Sequence, residues 1–173
     1  MKLLTDDIIR LRAVEPDDSY IMWEMEQDSE QWVHNGMAAP YSLHNLKEYS
    51  QNYDADPMHA GQLRLILELI KDKSVVGVID LYDISPIHHT AFIGVYIRPQ
   101  FRKRGYALKS IALLEEYSHK LLNLCHIGAK VMADNLRSVE LFNKAGYELR
   151  GVLPRWYRSG KSYHDLLLYS KLL

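Results

Sequence analysis

The stretch that most constrains the fold is residues 95–107, which has the pattern of a strand end, a short loop and a helix start. Pro99 ends the strand, because proline has no N–H to donate to a β-ladder. Residues 102–107 fit Arg-x-x-Gly-x-Ala, and apolar side chains recur from there at helical spacings of four, three and seven residues: Ala107, Ile111, Leu114 and Leu121. The pattern predicts a strand that passes through a glycine turn into a long amphipathic helix over residues 103–122.

The turn itself has the composition of an anion site. The first N–H groups of a helix have no intrahelical partner and carry the positive end of the helix dipole. Gly105 permits a ligand to approach the backbone closely, and Arg102, Lys103 and Arg104 add positive charge at the same point. These features predict a pyrophosphate site, and an ordinary basic loop before a helix is the alternative. The Gly-Lys-Ser/Thr of a Walker loop and the paired glycines of a Rossmann fingerprint are both missing from it.

Composition narrows the class of protein. The 173 residues, 47% hydrophobic and 25% charged, suit one soluble domain over residues 1–173. The net charge of −1 gives no indication of a nucleic-acid or membrane partner. The N-terminus lacks a signal-peptide pattern and no apolar run approaches the ~18 residues of a membrane span, so we expect a cytoplasmic protein. Cys125, the one cysteine, cannot form an intrachain disulfide and is expected to be a buried thiol.

Hydrophobic periodicity elsewhere predicts a mixed α/β chain. The predicted strands cover residues 8–13, 62–70, 75–82, 91–97, 127–133, 147–153 and 163–172. The further predicted helices cover residues 16–30, 42–53 and 136–145, with loops at 31–41 and 54–61. Ser42 and Asn135 are suited to cap helix N-termini, and Gly146 is suited to the left-handed position after a helix.

A second motif lies late in the chain. Residues 135–147 resemble the segment Asn-x-x-(Ala/Ser)-x-x-x-Tyr-x-x-x-Gly-Phe of the GNAT N-acetyltransferase family, whose acetyl-CoA loop is similar to residues 102–107. Residues 9–18 and 151–171 resemble the polyamine and ribosomal-protein acetyltransferase branch. The resemblance implies an α/β (α+β) fold, with a mixed, mostly antiparallel sheet flanked by helices and a splay between two central parallel strands. It also implies acetyl transfer from acetyl-CoA to a primary amine by direct attack in a ternary complex, and leaves homo-oligomerisation open.

The resemblance assigns a cofactor site to particular residues. The backbone N–H groups of residues 102–107 would hold the pyrophosphate, and the main chain of Val95 and Ile97 would pair with the pantetheine arm as an added strand does. Asn135 would hydrogen-bond the arm or serve only as a helix cap, and Phe142 would contact the thiol end or serve only as core. The expected cofactor-binding residues are Val95, Ile97, Arg102, Lys103, Arg104, Gly105, Tyr106, Ala107, Asn135 and Phe142.

Two departures from the family leave the catalytic groups open. The family often has a glutamate as general base at the position of Phe92 and a tyrosine as general acid at that of Phe142, and a phenylalanine ring moves no proton. Glu68, Asp80 and Tyr82 are the replacement candidates on neighbouring strands, with a solvated sheet face as the alternative for the two carboxylates. Without a base of its own, the enzyme would use the neutral fraction of the amine in solution, and kcat/KM would rise with pH toward the pKa of the amine.

The sequence does not define the acceptor. By family analogy residues 31–41 and 154–161 would rim its pocket, with the loop histidines His34, His88 and His89 on the substrate side. Because the histidines lack the spacing of a ligand set, no metal is expected. Polyamine acetyltransferases of this branch carry an acidic pair in the first loop, where this chain has Gly-Met-Ala-Ala-Pro. A protein N-terminus, a polyamine and a small amine stay open as acceptors, and a catalytically silent acyl-CoA-binding sensor or regulatory module is the alternative function.

Overall fold

The computed structural model describes residues 3–34, 37 and 39–173. The strands are β1 (Ile9–Ala13), β2 (Leu63–Leu69), β3 (Val75–Ser85), β4 (Thr90–Ile97), β5 (His126–Met132), β6 (Glu148–Ser159) and β7 (Ser162–Leu172). The α-helices are α1 (Ser19–Glu26), α2 (Ser29–His34), α3 (Leu43–Gln51), α4 (Pro57–Ala60), α5 (Tyr106–Lys120) and α6 (Leu136–Lys144). Single 3-10 turns lie at Pro16–Asp18 and Pro99–Phe101. The order of elements is the predicted one, except that α4 lies in a stretch expected to be a loop and α2 runs from the end of the predicted helix 16–30 into the predicted loop 31–41.

The strands form one sheet in the order β1-β2-β3-β4-β5-β7-β6. Neighbouring strands are antiparallel except β4 and β5, which run parallel. Residues 90–92 of β4 pair with residues 126–128 of β5, and the pairing ends there although both strands continue. The two strands therefore part beyond Phe92, which confirms the predicted mixed sheet with a splay between its parallel strands.

Helices cover both faces of the sheet. On one face, Ile111 and Leu114 of α5 are buried in the same cluster as the leucines of β2. On the other, Ile66 of β2 packs with Met22 and Met25 of α1. Because both faces are covered, β2 is buried at nearly every position instead of alternating between buried and exposed.

Three predicted helix ends are confirmed by their hydrogen bonds or backbone geometry. The Ser42 hydroxyl accepts the Asn45 N–H at 3.1 Å, and the Asn135 side chain accepts the Ser138 N–H at 3.2 Å. Gly146, after α6, has a φ of 82°, which a glycine adopts without strain. These ends depend on neighbours within four residues, which is why the sequence specifies them.

Residues 16–30, predicted as one helix, form two. The 3-10 turn at Pro16–Asp18 leads into α1, which ends at Glu26, and α2 begins at Ser29. The Trp32 indole N–H donates to the Glu26 carbonyl at 2.8 Å and ties α2 to the end of α1. This bond joins residues six apart and crosses a helix break, so helical periodicity does not predict it.

The long helix and the cysteine also differ from expectation. Helix α5 covers Tyr106–Lys120 instead of residues 103–122, and Leu121, expected on its buried face, is 59% exposed at the cap. Cys125 is exposed, not buried, because it lies in the connection between α5 and β5. No helix in the described part of the chain is long and apolar enough to cross a membrane.

Candidate functional site

The parting of β4 and β5 leaves one edge of β4 open. Val95 and Ile97 pair with Ile79 and Gly77 of β3 on one side, and β5 does not pair with them on the other. The main chain at this edge therefore has hydrogen-bonding groups available to an extended ligand, which can add to the sheet as a further strand would. The predicted role of Val95 and Ile97 requires such an edge.

The loop between β4 and α5 has two residues in left-handed conformation, Lys103 with φ 61° and Gly105 with φ 79°. A Cβ at Gly105 would meet nothing within 4 Å, so the backbone conformation, not a lack of space, calls for glycine in this open position. The helical ladder begins where the Lys109 N–H donates to the Gly105 carbonyl at 3.1 Å. The N–H groups just ahead have no intrahelical acceptor, which makes the loop suited to a pyrophosphate.

The three basic side chains of this loop are placed differently. Lys103 and Arg104 are exposed at its mouth. The guanidinium of Arg102 instead donates to the Ile97 carbonyl at 2.9 Å and to Asp28, between α1 and α2, at 3.0 Å. Positive charge free for a ligand therefore comes from Lys103 and Arg104, while Arg102 connects the loop to the α1–α2 junction.

A cavity of about 500 Å³ lies between α1, α2 and the sheet and extends to the splay. Among the residues proposed from sequence, it is lined by His34, Asp80, Tyr82, Val95, Asn135 and Phe142. Neither Glu68 nor Ile97 belongs to its lining. An adjoining cavity of about 540 Å³ shares Tyr41, Arg64, Asp80 and Tyr82 with it. The first cavity thus connects the expected cofactor arm with the space beneath α1, and the second cavity adjoins it at the shared residues.

Asn135 and Phe142 combine structural contacts with a place in this lining. The oxygen of Asn135 is used by the helix cap, which leaves its amide NH2 for a ligand. Phe142 is 5% exposed and packs edge-on against Tyr147 at a ring distance of 5.1 Å. The cap and core alternatives are therefore correct as descriptions of packing, and both residues still reach the cavity.

Phe92 is held in an aromatic and cationic stack. Its ring lies 5.8 Å from that of Tyr82, and the ammonium of Lys130 lies 4.1 Å from its centroid. A Cβ at Gly128 on the neighbouring strand would come within 2.7 Å of the ring. The space that a general base would use is occupied by a ring that can only pack.

Glu68 is buried, at 4% exposure, so the interpretation of its position as a solvated sheet face is wrong. Helices α1 and α3 cover that face. Its carboxylate accepts from Arg10 and Arg12, each at 2.7 Å. Burial alone would raise the pKa of Glu68, but the two arginines lower it below the ordinary value of 4.5. Glu68 is thus a charged, fully partnered carboxylate outside the cavity.

The other two candidates do line the cavity. Asp80 receives two hydrogen bonds from Arg64, both at 2.8 Å, so it too is an ion-paired carboxylate. Burial raises the pKa of Tyr82 to about 12, with Asp83 adding to the shift. At neutral pH the Tyr82 hydroxyl therefore keeps its proton and can donate a hydrogen bond, but it is a poor base.

Sequence reasoning missed Glu26, the last residue of α1. Its side chain lines the cavity, and its Oε2 is fully buried without a hydrogen-bond partner among the described residues. Burial is the main cause that raises the pKa of Glu26 above 4.5, against the Tyr41 N–H and the charge of Arg64. A signal for it existed, because residue 26 follows the buried Met22 by four positions and so shares its helix face.

The loop histidines separate into two groups. His34 lines the cavity, and its buried Nδ1 also lacks a partner among the described residues. His89 lies instead at the turn before β4, with Nδ1 3.0 Å from the Asn123 carbonyl, and neither it nor His88 lines the cavity. Within the part of the chain that the structure describes, no cluster of three or more potential ligands is placed to hold a metal ion.

Residues 31–41 and 154–161, which were expected to rim the acceptor pocket, contribute part of the cavity lining. Trp32, Met37 and Tyr41 line the cavity from the first loop region, while residues 35, 36 and 38 lie outside the described residues. From residues 154–161 it is Tyr157 that lines the cavity. The rim residues that these two segments contribute are therefore aromatic or thioether side chains, which can pack against an aliphatic chain.

Comparison with known proteins gives the family. Residues 9–148 match the model of the acetyltransferase (GNAT) domain. The uncharacterized N-acetyltransferase YoaA of Bacillus subtilis (strain 168) is 27% identical over 169 residues, covering 97% of this chain and 95% of that protein. Spermidine N(1)-acetyltransferase of Escherichia coli (strain K12) is 23% identical over 159 residues, covering 92% and 83%. The resemblance inferred from the two motifs is thereby confirmed.

The solved structures agree on the fold. Spermidine N-acetyltransferase from Vibrio cholerae, in complex with CoA and spermine, superimposes with a TM-score of 0.85 at 24% identity, covering 95% of both chains. A dodecameric structure of spermidine N-acetyltransferase from the same organism gives 0.78 at 24% identity, covering 95% of this chain and 93% of that one. Together with the family model, which spans most of the sequence, these matches show that the chain belongs to the GNAT family of acetyl-CoA-dependent N-acetyltransferases.

Proposed function

We propose that this chain transfers the acetyl group of acetyl-CoA to a primary amine, by direct attack while both substrates are bound. The observation that carries the proposal is the continuity of the cavity. Val95, Asn135 and Phe142 line it at the splay, and Glu26 and Asp80 line it under the helices. A thioester placed at the splay and an amine placed beneath α1 would share one continuous cavity, which favours attack by positioning.

The acceptor in this proposal is an aliphatic amine, of which a polyamine, a small amine and a protein N-terminus are members. Relatives named for spermidine support the first. The thioether and aromatic lining formed by Met22, Met25 and Trp32 supports any acceptor with an apolar chain.

The test is acetyl transfer to a panel of amines. Spermidine, spermine, putrescine, n-butylamine and a peptide with a free N-terminus are incubated with acetyl-CoA, while released CoA thiol and the mass of the product are followed. We expect an N-acetylated product from at least one amine. Acetyl-CoA binding without transfer to any member would refute the proposal and favour the alternative of a silent acyl-CoA-binding module.

The cofactor site has its own test, Gly105→Val. Valine is strained at φ 79° and would project into the space in front of the loop, so acetyl-CoA affinity should fall at least about tenfold, or ~1.4 kcal/mol. The matched control is Gly61→Val, which has a φ of 70° and open space but lies after α4. Calorimetry showing equal affinity in both variants would contradict the assignment of residues 102–107.

We also propose self-association through the outer strand, β6. It lies at the end of the sheet and exposes Leu149, Val152 and Trp156, at 51%, 44% and 62%. An unpaired edge with exposed apolar side chains favours pairing with another copy. Light scattering should give a mass above that of one chain, and Val152→Lys should lower it. A monomeric wild-type protein would refute this.

A further inference from the structure

The charged groups that line the cavity differ in how they are compensated. Arg64 and Asp80 pair with each other at 2.8 Å, and Lys130 pairs with Asp83 at 3.1 Å. The Glu26 carboxylate, in contrast, has no basic side chain of the described residues within ion-pair distance. Its polar contacts are the Tyr41 N–H and the more distant charge of Arg64. Glu26 is therefore the lining carboxylate whose charge is not balanced by an adjacent side chain.

An unbalanced, partly buried carboxylate is unfavourable for the folded protein. Its Oε2 is shielded from water and has no hydrogen-bond partner among the described residues. Burial of a polar group without a partner costs free energy, so native structures rarely keep one unless a ligand or water completes it. His34, with a buried and unpartnered Nδ1, lines the same cavity. Two such atoms in one cavity indicate a polar ligand, and the carboxylate oxygen of Glu26 requires that this ligand has hydrogen-bond donors.

We propose that Glu26 binds the ammonium group of the acceptor and takes a proton from it before the attack on the thioester. This rests on the proposed acetyl transfer. An ammonium supplies both the positive charge and the donors that Oε2 lacks. A neutral hydroxyl or amide acceptor would supply no charge, and an anionic one would be repelled. The site is therefore specific for a cationic amine whose carbon chain packs on Met22, Met25 and Trp32.

The proton and electron balance of the step is complete without another reactant. One proton passes from the acceptor R–NH3⁺ to the Glu26 carboxylate, which leaves R–NH2 with its lone pair. The nitrogen attacks the carbonyl carbon, the C–N bond forms, and the C–S bond breaks with its electrons on sulfur. A second nitrogen proton neutralises the CoA thiolate, and Glu26 later returns its proton to solvent. The products are R–NH–COCH3, CoA-SH and one H⁺.

The pH profile of kcat/KM separates this step from use of the neutral amine in solution. If Glu26 acts, the reactive pair is the carboxylate with the ammonium, whose population is constant between the two pKa values. The profile is then flat over pH 7–9 for an amine of pKa near 10. If the neutral amine is taken from solution, the profile rises about one log unit per pH unit. The titratable and charged groups that line the cavity with Glu26 are His34 of α2, Tyr41 before α3 and, from the sheet, Arg64, Asp80, Tyr82, Tyr96, Lys130 and Tyr157.

The experiment compares Glu26→Gln with Glu24→Gln. Glu24 lies on the same helix but pairs outside the cavity with Arg98 at 3.1 Å. With the best amine of the panel, Glu26→Gln should lose at least about 100-fold in kcat/KM and gain the rising profile, while acetyl-CoA affinity stays within twofold. Glu24→Gln should match the wild type. Glu26→Asp, which keeps the charge on a shorter side chain, should retain the flat profile with a smaller loss.

The outcomes are distinguishable. If the wild type acetylates an amine and Glu26→Gln keeps kcat/KM within threefold with an unchanged profile, the role of Glu26 is refuted and acetyl transfer stands. If the wild type acetylates no amine, the proposed function fails first. Unchanged acetyl-CoA binding serves as the check that each variant is folded, and Glu26→Asp decides the question should Glu26→Gln not fold.

Discussion

The two ends of helix α1 carry carboxylates in opposite situations. Just before its start, Asp18 receives two hydrogen bonds of 2.7 Å from Arg12, which also donates to Glu68. At its last residue, Glu26 has an oxygen without a partner among the described residues. The first cluster is complete without a ligand, and its arginines lower the pKa of Glu68. Around Glu26 the hydrogen bonding is incomplete, and burial raises the pKa of this carboxyl. A carboxylate whose hydrogen bonds are all made within the protein supports the fold, whereas one with an unpartnered oxygen is left available to a ligand.

The largest loss of folding stability is expected for Glu68→Gln. Removing this charge leaves Arg10 without its carboxylate partner and leaves Arg12 with Asp18 alone. Loss of one partner of a buried ion pair costs about 3 kcal/mol. Urea unfolding at pH 7 measures the effect. Glu24→Gln, which breaks an exposed pair, should change stability by less than ~0.5 kcal/mol. Equal stability of the two variants would contradict a structural role for Glu68.

Replacing Glu26 is expected to change stability in the opposite direction from replacing Glu68. The folded-state pKa of Glu26 is raised, so its ionisation opposes folding once the pH exceeds the ordinary value of 4.5. Glu26→Gln should therefore stabilise the apo protein at pH 7 by roughly 1 kcal/mol, and this gain should vanish below pH 4. Destabilisation at pH 7 would show that Glu26 has a partner within the fold.

The pH dependence of the Glu68 effect has the reverse sign. Its folded-state pKa is lowered, so its stabilisation is present above the unfolded value of 4.5 and is lost as the pH falls through the folded value. The difference in unfolding midpoint between wild type and Glu68→Gln should therefore shrink below pH 4. A difference that stays constant from pH 7 to pH 3 would mean that shape, not charge, is what the substitution changes.

The smallest expected effect is that of Phe142→Tyr, which tests whether protonation of the leaving thiolate limits the rate. Tyrosine adds a hydroxyl at little change in volume and restores the usual acid of the family at the edge of the cavity. Acetyl-CoA affinity should stay within twofold. The value of kcat should rise by a few fold if protonation of the leaving thiolate limits the rate. An unchanged kcat would indicate that the second proton of the amine already performs this step, as the balance at Glu26 implies.

The sequence predicts the fold well because its signals are local or periodic. The Arg-x-x-Gly-x-Ala loop, the Asn135 cap and the strand patterns each depend on neighbours within a few residues. The catalytic candidates were harder to predict, because their status depends on what covers them. Glu68 on β2 looks solvent-facing until α1 and α3 are placed over it. Glu26 looks like a polar helix end until α1 is packed over the sheet and its inner face lines a cavity.

The packing around Phe92 limits which substitutions at position 92 could give the protein a general base. The ring fills the space over Gly128, where any Cβ would come within 2.7 Å of it, and the Lys130 ammonium lies 4.1 Å from its centroid. A return to glutamate at position 92 would remove that packing and set a carboxylate beside the lysine, where the two charges would neutralise each other. A base restored by one substitution would therefore be silenced by its neighbour. Positions 92, 128 and 130 therefore constrain one another, and restoring a working glutamate base at position 92 requires a change at Lys130 as well.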